Sequence, residues 1–378
     1  MSDRTNQKSK RLLIVSQCFY PSVNRGGPAV SVTNLAKALA DRLEVSVLTA
    51  SYESGTKQTY AQIHEGKNRL FGCDVFYLKD TSFTTLERVI QETAPDVIYI
   101  SSLFSAAYTI PALRYAKKKK IRTVLAPRGE LQPQALHRKS FKKTVYLGAL
   151  KLFGLTKSVC FHATSADERI QIQKHFPKAR VYTAQNLVIG STDVSRTRTK
   201  KPGELRAVAV CRVHPIKGID RAISALKTVQ GHIEYDIYGP VEDESFYHRC
   251  TALAKELPEN VKVRFCGAAA PEKIPQLLRN SDVFLMPTQT ENFGNAIVEA
   301  LMNGCPALIS DATPWKNLSE AKAGADLPRN GDYAAVLQRI ADMEEEEWRS
   351  WSAGAETYIN KKLNSKETLA TYLKMLEG

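Results

Sequence analysis

Apolar residues along this chain occur in short continuous runs, and the stretches between them show the spacing of amphipathic helices. Continuous apolar runs are typical of strands buried on both faces of a parallel sheet. Such runs lie at 12–18, 45–48, 75–78, 97–100, 123–126 and 160–163, and again at 207–211, 235–238, 261–266, 283–286 and 307–310. The alternation of strand and helix predicts an α/β chain built from βαβ units, with doubly wound parallel sheets.

The two series of runs are separated by a polar stretch that is rich in Ser, Thr and Lys. A chain of 378 residues also exceeds the size of one ordinary hydrophobic core. We therefore expect two Rossmann-like domains, at 1–187 and 204–345, joined by a linker at 188–203. The helical segment 346–378 is expected to pack back toward the N-terminal domain. A cleft between the domains, faced by their parallel sheets, is the default ligand site.

Composition and charge indicate the compartment in which the protein works and the partners that it binds. No apolar run approaches the roughly 20 residues that span a bilayer, and residues 1–11 lack the apolar core of a secretory signal. The seven cysteines are scattered without a Cys-x-x-Cys pair. This pattern indicates reduced thiols in the cytoplasm rather than disulfides or a zinc site. The net charge of +14 suits an anionic ligand, an anionic membrane or a nucleic acid. Because the basic segments lack interleaved aromatic residues, we expect no nucleic-acid partner.

Two cations follow the predicted strand at 207–211. Arg212 comes directly after the strand, and Lys217 precedes Gly218 at the start of the next helix. Positive side chains beside the N–H groups of a helix N-terminus are suited to binding a diphosphate. They would also stabilise negative charge that develops on that diphosphate when its bond to a sugar breaks. The alternative is that both are surface cations near a turn.

Two glutamates flank a short Asn-Phe-Gly-Asn segment after the predicted strand at 283–286. Glu291 lies in the loop and Glu299 lies inside the helix that follows. Gly294 lets the backbone approach a ligand closely, and the carboxylates can accept hydrogen bonds from hydroxyl groups of a sugar and a ribose. The pair could also serve as the acid and base of a hydrolase, or be ordinary helix residues favoured by the dipole.

Several motifs together make the chain resemble the retaining glycosyltransferases of family 4, which have the two-domain GT-B fold. They are Gly26-Gly27-Pro28, Ala126-Pro127-Arg128-Gly129-Glu130-Leu131, Arg212 with Lys217-Gly218, Tyr238-Gly239-Pro240, the segment 291–299, and Thr313-Pro314-Trp315. The resemblance covers nearly all of the chain after the first ten residues. The Pro-Arg-Gly form is similar to a branch of the family that assembles polysaccharides.

This resemblance implies transfer of a hexose from a nucleotide-sugar, a UDP- or GDP-sugar, to a hydroxyl of a glycan or lipid-linked acceptor. The anomeric configuration is retained, a phosphate oxygen takes the acceptor proton, and neither a metal nor a separate cofactor is implied. Acceptors would bind the N-terminal domain and donors the C-terminal domain. The implied donor-site residues are Gly26, Gly27, Arg212, Lys217, Glu291, Phe293, Gly294, Asn295 and Glu299. Among them, Glu291 would contact the donor sugar, Glu299 the ribose, and Arg212 and Lys217 the diphosphate.

One departure from the family pattern affects the N-terminal domain. Many members carry a histidine where this chain has Pro127-Arg128-Gly129-Glu130. The resemblance then suggests that Arg128 faces the donor or an anionic acceptor, with a part in catalysis, and that Glu130 binds an acceptor hydroxyl. The alternative for Arg128 is a structural ion pair. His162 lies in a predicted strand and is expected to be a core residue.

A basic helix is predicted at 135–153. Its cations and its apolar residues fall on different faces: Arg138, Lys139, Lys142 and Lys143 on one, and Phe141, Val145, Gly148 and Leu152 on the other. Two interpretations remain open. The helix could hold the protein on the inner face of the cytoplasmic membrane, close to a lipid-linked acceptor. Alternatively, its apolar face could pack on the core of the domain.

Other functions remain possible from the sequence. A non-catalytic protein that binds nucleotide-sugars would share the donor site, and so would another GT-B enzyme such as a nucleotide-sugar epimerase. An epimerase would need acid–base groups that the motifs do not supply. Turnover of a donor, rather than binding alone, separates the transferase from the non-catalytic protein.

Overall fold

A computed structural model describes residues 10–53, 56, 58–137, 140–189, 195–363 and 365–378. Two compact units are present. The first contains the described residues of 1–22, 28–188 and 365–378, and the second contains 23–27 together with those of 189–364. None of the helices within the described ranges is long and apolar enough to cross a membrane.

The first unit is a mostly parallel sheet with helices between its strands. Its strands are β1 (Arg11–Ser16), β2 (Glu44–Ala50), β3 (Gly66–Leu70), β4 (Cys73–Leu78), β5 (Val97–Ser101), β6 (Arg122–Ala126), β7 (Val159–Ala163) and β8 (Arg180–Thr183). Their spatial order is β3-β4-β2-β1-β5-β6-β7-β8. The pairing of β3 with β4 is antiparallel, and the other strand pairs are parallel.

The helices of this unit connect successive strands. They are α1 (Gly27–Leu39), α2 (Phe83–Thr93), α3 (Ala106–Lys119), α4 (Pro133–His137), α5 (Ser140–Leu152) and α6 (Ala166–His175). The described residues of the helix predicted at 135–153 fall in α4 and α5 and at the residue after α5. Arg138 and Lys139, two cations of that predicted helix, lie outside the described residues.

The second unit repeats the same plan. Its strands are β9 (Glu204–Val210), β10 (His232–Tyr238), β11 (Val261–Gly267), β12 (Val283–Met286), β13 (Ala307–Ser310) and β14 (Gly324–Leu327). Its helices are α7 (Ile219–Leu226), α8 (Glu244–Lys255), α9 (Ile274–Arg279), α10 (Asn295–Met302), α11 (Tyr333–Asp342) and α12 (Glu345–Lys362). The strand order is β11-β10-β9-β12-β13-β14, with parallel pairing throughout.

Burial explains why the strands appear in the sequence as continuous apolar runs. In β1, Leu13 and Val15 join a hydrophobic cluster on one face of the sheet, and Leu12 and Ile14 join a second cluster on the other face. A strand covered by helices on both faces needs apolar side chains at every position. The predicted α/β class and the parallel sheets are therefore confirmed.

Three strands were not predicted from apolar runs. They are β3, β8 and β14, and each lies at an edge of its sheet. The sequence of β3 is Gly-Lys-Asn-Arg-Leu, and none of its residues is fully buried. An edge strand has a neighbour on one side only and is commonly marked by charged residues, so apolar runs do not reveal it.

The C-terminal segment is divided between the two units. Helix α12 lies in the second unit, where Trp348 and Trp351 join the hydrophobic core. A final helix, α13 (Ser365–Glu377), lies in the first unit. Its Tyr372 and Met375 are buried there, and the Arg122 guanidinium donates to the Met375 carbonyl at 3.0 and 2.7 Å. The segment expected at 346–378 therefore does not act as one piece.

Candidate functional site

The second unit brings Lys217 and Glu291 together at the carboxyl edge of its sheet. Lys217 ends a short 3₁₀ turn after β9, and Glu291 follows β12, the strand next to β9. Lys217 Nζ lies 2.6 Å from Glu291 Oε2, and the two side chains are 15% and 18% exposed. A mostly buried ion pair of this kind leaves each charge dependent on the other or on a ligand.

Glycine at position 218 permits this approach of the two loops. Gly218 has φ +70°, and a Cβ there would lie 2.1 Å from the Pro287 carbonyl oxygen. The loops are also joined by hydrogen bonds to the Ile216 carbonyl, from the Gln289 N–H at 2.7 Å and the Thr288 hydroxyl at 2.8 Å. The position of Lys217 is thus fixed by backbone contacts to the loop that carries Glu291.

The segment between the two motif glutamates forms the start of α10. Gly294 precedes the helix with φ +80°, a conformation that glycine adopts without strain. Trp315 holds the preceding residue in place, since its indole N–H donates to the Phe293 carbonyl at 2.6 Å and its ring contacts the Phe293 ring edge-on at 5.4 Å. The first N–H groups of α10 have no partner within the helix, so this end can bind an anion.

Glu299 lies farther along α10 and is half-buried. Its carboxylate has no hydrogen-bond or ion-pair partner among the residues that the structure describes. Burial raises the pKa of this carboxyl to about 7, because the charged form loses hydration and gains nothing in exchange. A buried acceptor without a donor suits a ligand that brings hydroxyl groups.

Arg212 is paired with a residue that the sequence analysis did not select. Its guanidinium donates to the Glu242 carboxylate, which follows β10. The Tyr238-Gly239-Pro240 motif explains this proximity, because a Cβ at Gly239 would lie 1.9 Å from the Cys211 carbonyl oxygen. Only glycine lets the loop after β10 approach the loop after β9 so closely. The Tyr238-Gly239-Pro240 motif was the sequence feature from which the proximity of Glu242 to Arg212 could have been predicted.

The glycine-rich segment 23–27 belongs to the second unit. The Asn295 side-chain amide donates to the Gly27 carbonyl at 2.9 Å, and a Cβ at Gly27 would lie 3.0 Å from that amide nitrogen. Gly26 has φ +49° and open space where a side chain would begin. These glycines therefore lie beside the N-terminus of α10.

Arg128 lies in the first unit, in a network of polar side chains. With φ +56°, it donates to the Asn186 side-chain oxygen and to the Tyr99 hydroxyl, the latter at 3.0 Å. Tyr99 is 2.7 Å from His162 Nδ1, and His162 Nε2 is 2.9 Å from the Ala184 carbonyl. A carbonyl can only accept, so Nε2 carries the proton and Nδ1 accepts from Tyr99.

This network keeps His162 uncharged. Burial, with a smaller contribution from the positive charge of Arg128, lowers the pKa of His162 to about 3. His162 is fully buried, which confirms that it is a core residue. Arg128 accordingly donates to the Asn186 side chain and to the Tyr99 hydroxyl, and both partners lie within the first unit.

Glu130 has its carboxylate occupied within the first unit. It accepts hydrogen bonds from the Ser102 hydroxyl at 2.7 Å and from the N–H groups of Leu103 and Phe104 at 2.6 and 3.2 Å. Burial raises the pKa of this carboxyl, although those hydrogen bonds act in the opposite direction. In the structure Glu130 fixes the loop that leads into α3.

The predicted donor-site residues thus collect in the second unit, whereas Arg128 and Glu130 lie in the first. Among the described residues, no group of three or more His, Cys, Asp or Glu side chains is arranged to hold a metal ion.

Family comparison agrees with the motifs. Residues 25–188 match the family described as Glycosyltransferase Family 4, and residues 191–358 match the one described as Glycosyl transferases group 1. The chain belongs to glycosyltransferase family 4. The two matches meet close to the boundary between the two units of the structure.

Individual relatives are more distant. An amylovoran biosynthesis glycosyltransferase, AmsK of Erwinia amylovora, is 32% identical over 152 residues, which cover 37% of each chain. An uncharacterised 41.2 kDa protein from the cps region of Klebsiella pneumoniae is 21% identical, with 94% of this chain and 97% of that protein covered.

Solved structures show that this glycosyltransferase has the GT-B fold. HepE of Anabaena, crystallised with UDP and glucose, superposes with a TM-score of 0.69 at 16% identity, covering 97% of this chain and 99% of HepE. WaaG, a glycosyltransferase involved in lipopolysaccharide biosynthesis, gives 0.64 at 14% identity, with 97% and 100% covered. The expected GT-B architecture of two Rossmann-like units is confirmed.

Proposed function

We propose that this family 4 glycosyltransferase moves a hexose from a UDP- or GDP-sugar to a hydroxyl of a glycan or lipid-linked acceptor. The reaction retains the anomeric configuration, needs no metal, and contributes to surface polysaccharide synthesis in the cytoplasm. The observation that carries the proposal is the pairing of Lys217 with Glu291 beside the N-terminus of α10. One cation, one carboxylate and a set of helix N–H groups form a combined site for a phosphate and a sugar hydroxyl.

The ion pair assigns a role to each partner when a donor binds. A diphosphate would compete with Glu291 for the Lys217 ammonium, because phosphate is also an anionic acceptor. Glu291, released from that contact, would accept a hydrogen bond from a hydroxyl of the donor sugar. Glu299 would accept from the ribose hydroxyls, which suits a half-buried carboxylate that has no donor among the described residues.

Departure of the nucleotide diphosphate is the step that needs charge stabilisation. Lys217, Arg212 and the N–H groups of α10 lie along the same edge of the second sheet, after β9 and β12. Fixed positive groups of this kind stabilise charge that develops on a leaving phosphate. The acceptor hydroxyl would attack on the face that the diphosphate leaves, and a phosphate oxygen would take its proton, so the configuration is retained.

The relatives support the substrate class. HepE was crystallised with UDP-glucose, and the partial match to AmsK is to an enzyme of amylovoran biosynthesis. We therefore propose UDP-sugars as the first donors to test and an oligosaccharide or lipid-linked saccharide as the acceptor. Arg128 and Glu130 of the first unit are proposed to act near the acceptor, Arg128 by its charge and Glu130 by fixing the loop before α3.

The test begins with ligand-dependent melting. UDP, GDP and ADP are each added to the purified chain, and the nucleotide that raises the melting temperature is retained. Its hexose conjugates are then assayed for nucleotide release with EDTA present, and the anomeric configuration of the product is read by NMR. We expect retention and EDTA-resistant turnover.

A matched pair of variants links the assay to the site. Glu291→Gln should cut turnover at least a hundredfold, about 2.7 kcal/mol of transition-state stabilisation, while the variant remains folded at the assay temperature. Glu320→Gln, which removes the same charge from an exposed position of the second unit, should behave as wild type. Donor binding without turnover would identify a non-catalytic binding protein, and inverted product would reject the proposed mechanism.

A further inference from the structure

Helix α5 carries an exposed apolar stripe. The side chains of Phe141, Val145 and Leu152 are 80%, 55% and 83% exposed, and Phe153, directly after the helix, is 65% exposed. Large apolar side chains exposed singly are common on protein surfaces, but a contiguous set marks an interaction site. The stripe is therefore a candidate docking surface.

Helical geometry shows that this exposure is a property of one whole face. At 3.6 residues per turn, Phe141, Val145 and Leu152 fall along the centre of the face that points away from the unit. Leu147 and Leu150 lie on the opposite side and are buried in the core. The apolar face identified in the sequence is thus exposed, and the interpretation that it packs on the domain core is wrong.

Lysine side chains border the stripe. Lys142 and Lys151 are exposed and lie on its two flanks, about a quarter turn to either side of the apolar centre. Lys143 does not belong to this border, because it is only partly exposed and its ammonium donates to the Ala135 carbonyl. The Lys151 ammonium lies over the Phe176 ring at 5.2 Å, but its side chain is exposed. An apolar centre with cationic flanks is the arrangement of helices that lie in a lipid interface.

A second basic segment reaches the same surface from α3. The ammonium of Lys117 donates to the Phe153 carbonyl at 2.7 Å, so the C-terminus of α3 adjoins the end of the stripe. Lys118, Lys119 and Lys120 follow, and all are exposed. The structure therefore places these lysines beside exposed aromatic surface.

The charge of this region accounts for most of the net charge of the protein. Between positions 97 and 166 there are 13 Lys and Arg residues and one acidic residue, Glu130. This segment therefore contributes +12 of the total +14. The single carboxylate, Glu130, accepts hydrogen bonds from Ser102 and from backbone N–H groups within the unit and is already counted in this sum.

We propose that the α5 stripe, Phe141, Val145, Leu152 and Phe153, docks this protein on an anionic lipid bilayer, with Lys118–Lys120, Lys142 and Lys151 contacting the lipid phosphates. The apolar side chains would enter the boundary between headgroups and acyl chains, and the lysines would follow the negative surface potential. A second copy of the chain is the less suitable occupant, because pairing two such surfaces would oppose like charges. Docking of this kind would keep the protein close to membrane-bound molecules without a spanning helix.

The apolar part of the surface is tested by vesicle sedimentation with the full chain. Wild type should sediment with vesicles of phosphatidylcholine and phosphatidylglycerol, and much less with phosphatidylcholine alone. Phe141→Ser with Leu152→Ser should lower partitioning at least tenfold, about 1.4 kcal/mol, at an unchanged melting temperature, because both side chains are exposed. Ile189→Ser with Val241→Ser removes two exposed apolar side chains from the second unit and should leave binding unchanged.

The charged part has its own matched pair. Lys118→Gln with Lys119→Gln should lower binding to the anionic vesicles several-fold, and added salt should weaken wild-type binding in the same way. Lys361→Gln with Lys362→Gln removes equal charge from the last turn of α12 and should have little effect. If both pairs of substitutions lower vesicle binding equally, binding responds to net charge alone, and the assignment to this surface is overturned.

The remaining outcomes identify other occupants. If wild type does not sediment with anionic vesicles, the lipid proposal is rejected. If sedimentation velocity instead shows a dimer that Phe141→Ser with Leu152→Ser dissociates, the stripe is an interface between copies. Turnover of a soluble acceptor is measured in the same preparations, so failure of the proposed transferase activity and failure of membrane docking give separate results.

Discussion

Replacement of Glu299 by glutamine is the perturbation with the most direct physical consequence. The carboxyl group is half-buried in α10, and burial raises its pKa from 4.5 to about 7. At a pH above both values the folded state holds a carboxylate that has lost hydration, whereas the unfolded chain holds a fully hydrated one. Glu299 therefore destabilises the unliganded protein at high pH, and glutamine, being neutral, does not.

The magnitude follows from proton linkage. A rise in pKa from 4.5 to about 7, at 1.36 kcal/mol per pH unit, corresponds to at most about 3 kcal/mol. Below pH 4.5 the carboxyl is protonated in both states, so it makes no difference to stability. Between pH 4.5 and about 7 the folded state binds more protons than the unfolded state, so wild-type stability falls as the pH rises. Above that window the full cost is present.

The assay is urea unfolding of wild type and Glu299→Gln across this pH window, without ligand. The variant should be more stable by about 1–3 kcal/mol at pH 8, and the difference should vanish at pH 4. Glu320→Gln serves as the control, since Glu320 is exposed, and its difference from wild type should not change with pH in this way. If the free energies of unfolding of wild type and Glu299→Gln differ by the same amount at every pH, the assigned burial of the carboxylate is refuted. The same variant should bind the nucleotide more weakly, which separates stability from function.

Three further substitutions test individual contacts. Lys217→Ala should weaken binding of the nucleotide diphosphate at least tenfold, about 1.4 kcal/mol, because it removes the cation of the Lys217–Glu291 pair; calorimetry showing wild-type affinity would remove Lys217 from the phosphate site. Gly294→Ala should lower stability by about 1–2 kcal/mol, because the residue has φ +80° and its new Cβ would lie 3.0 Å from Glu291 Cγ; an unchanged urea midpoint would mean that the loop relaxes. Tyr99→Phe should cost about 1–3 kcal/mol, because His162 and Arg128 each lose a buried partner; an equal melting temperature would show that the network contributes no stability.

The central strands could be predicted from the sequence because their burial is two-sided. The run at 283–286 coincides with β12, and the run at 307–310 coincides with β13. Both strands have parallel neighbours on each side and no exposed residue. The hydrophobic pattern therefore reports their position directly, whereas the edge strands β3, β8 and β14 carry too few buried side chains to produce it.

The candidate site was predicted in part, and the limit again has a physical reason. Arg212, Lys217 and Glu291 follow strands that lie side by side, and carboxyl ends of parallel strands meet at one edge of a sheet. Sequence order alone does not state which cation faces which carboxylate. The structure pairs Lys217 with Glu291 and Arg212 with Glu242, and Glu242 has no motif of its own beyond the nearby Gly239.

The contacts of the C-terminal helix α13 could not be predicted from the sequence, because they depend on a long-range return of the chain. The Tyr372 side chain on α13 is buried in the first unit and its ring contacts His162 edge-on at 4.9 Å. From the sequence we expected the segment 346–378 to pack back toward the N-terminal domain, but no pattern named the residues that α13 contacts, and His162 lies about two hundred residues earlier in the sequence. The hydrophobic periodicity of a helix indicates which of its faces is buried, but it does not indicate which residues cover that face.

In the unliganded protein the Glu291 carboxylate is paired with a cation and the Glu299 carboxylate is not. Both arrangements are expected of residues that bind a ligand. Glu291 is compensated by Lys217 at 2.6 Å, and a phosphate that took over this cation would leave Glu291 in need of a hydrogen-bond donor. Glu299 already lacks such a donor among the described residues, and its raised pKa is the consequence. A stability cost that a ligand with hydroxyl groups removes is the expected signature of a binding residue. A carboxylate with only a structural role could be replaced without any effect on nucleotide binding. If Glu299→Gln stabilises the protein and also weakens nucleotide binding, Glu299 is therefore a binding residue.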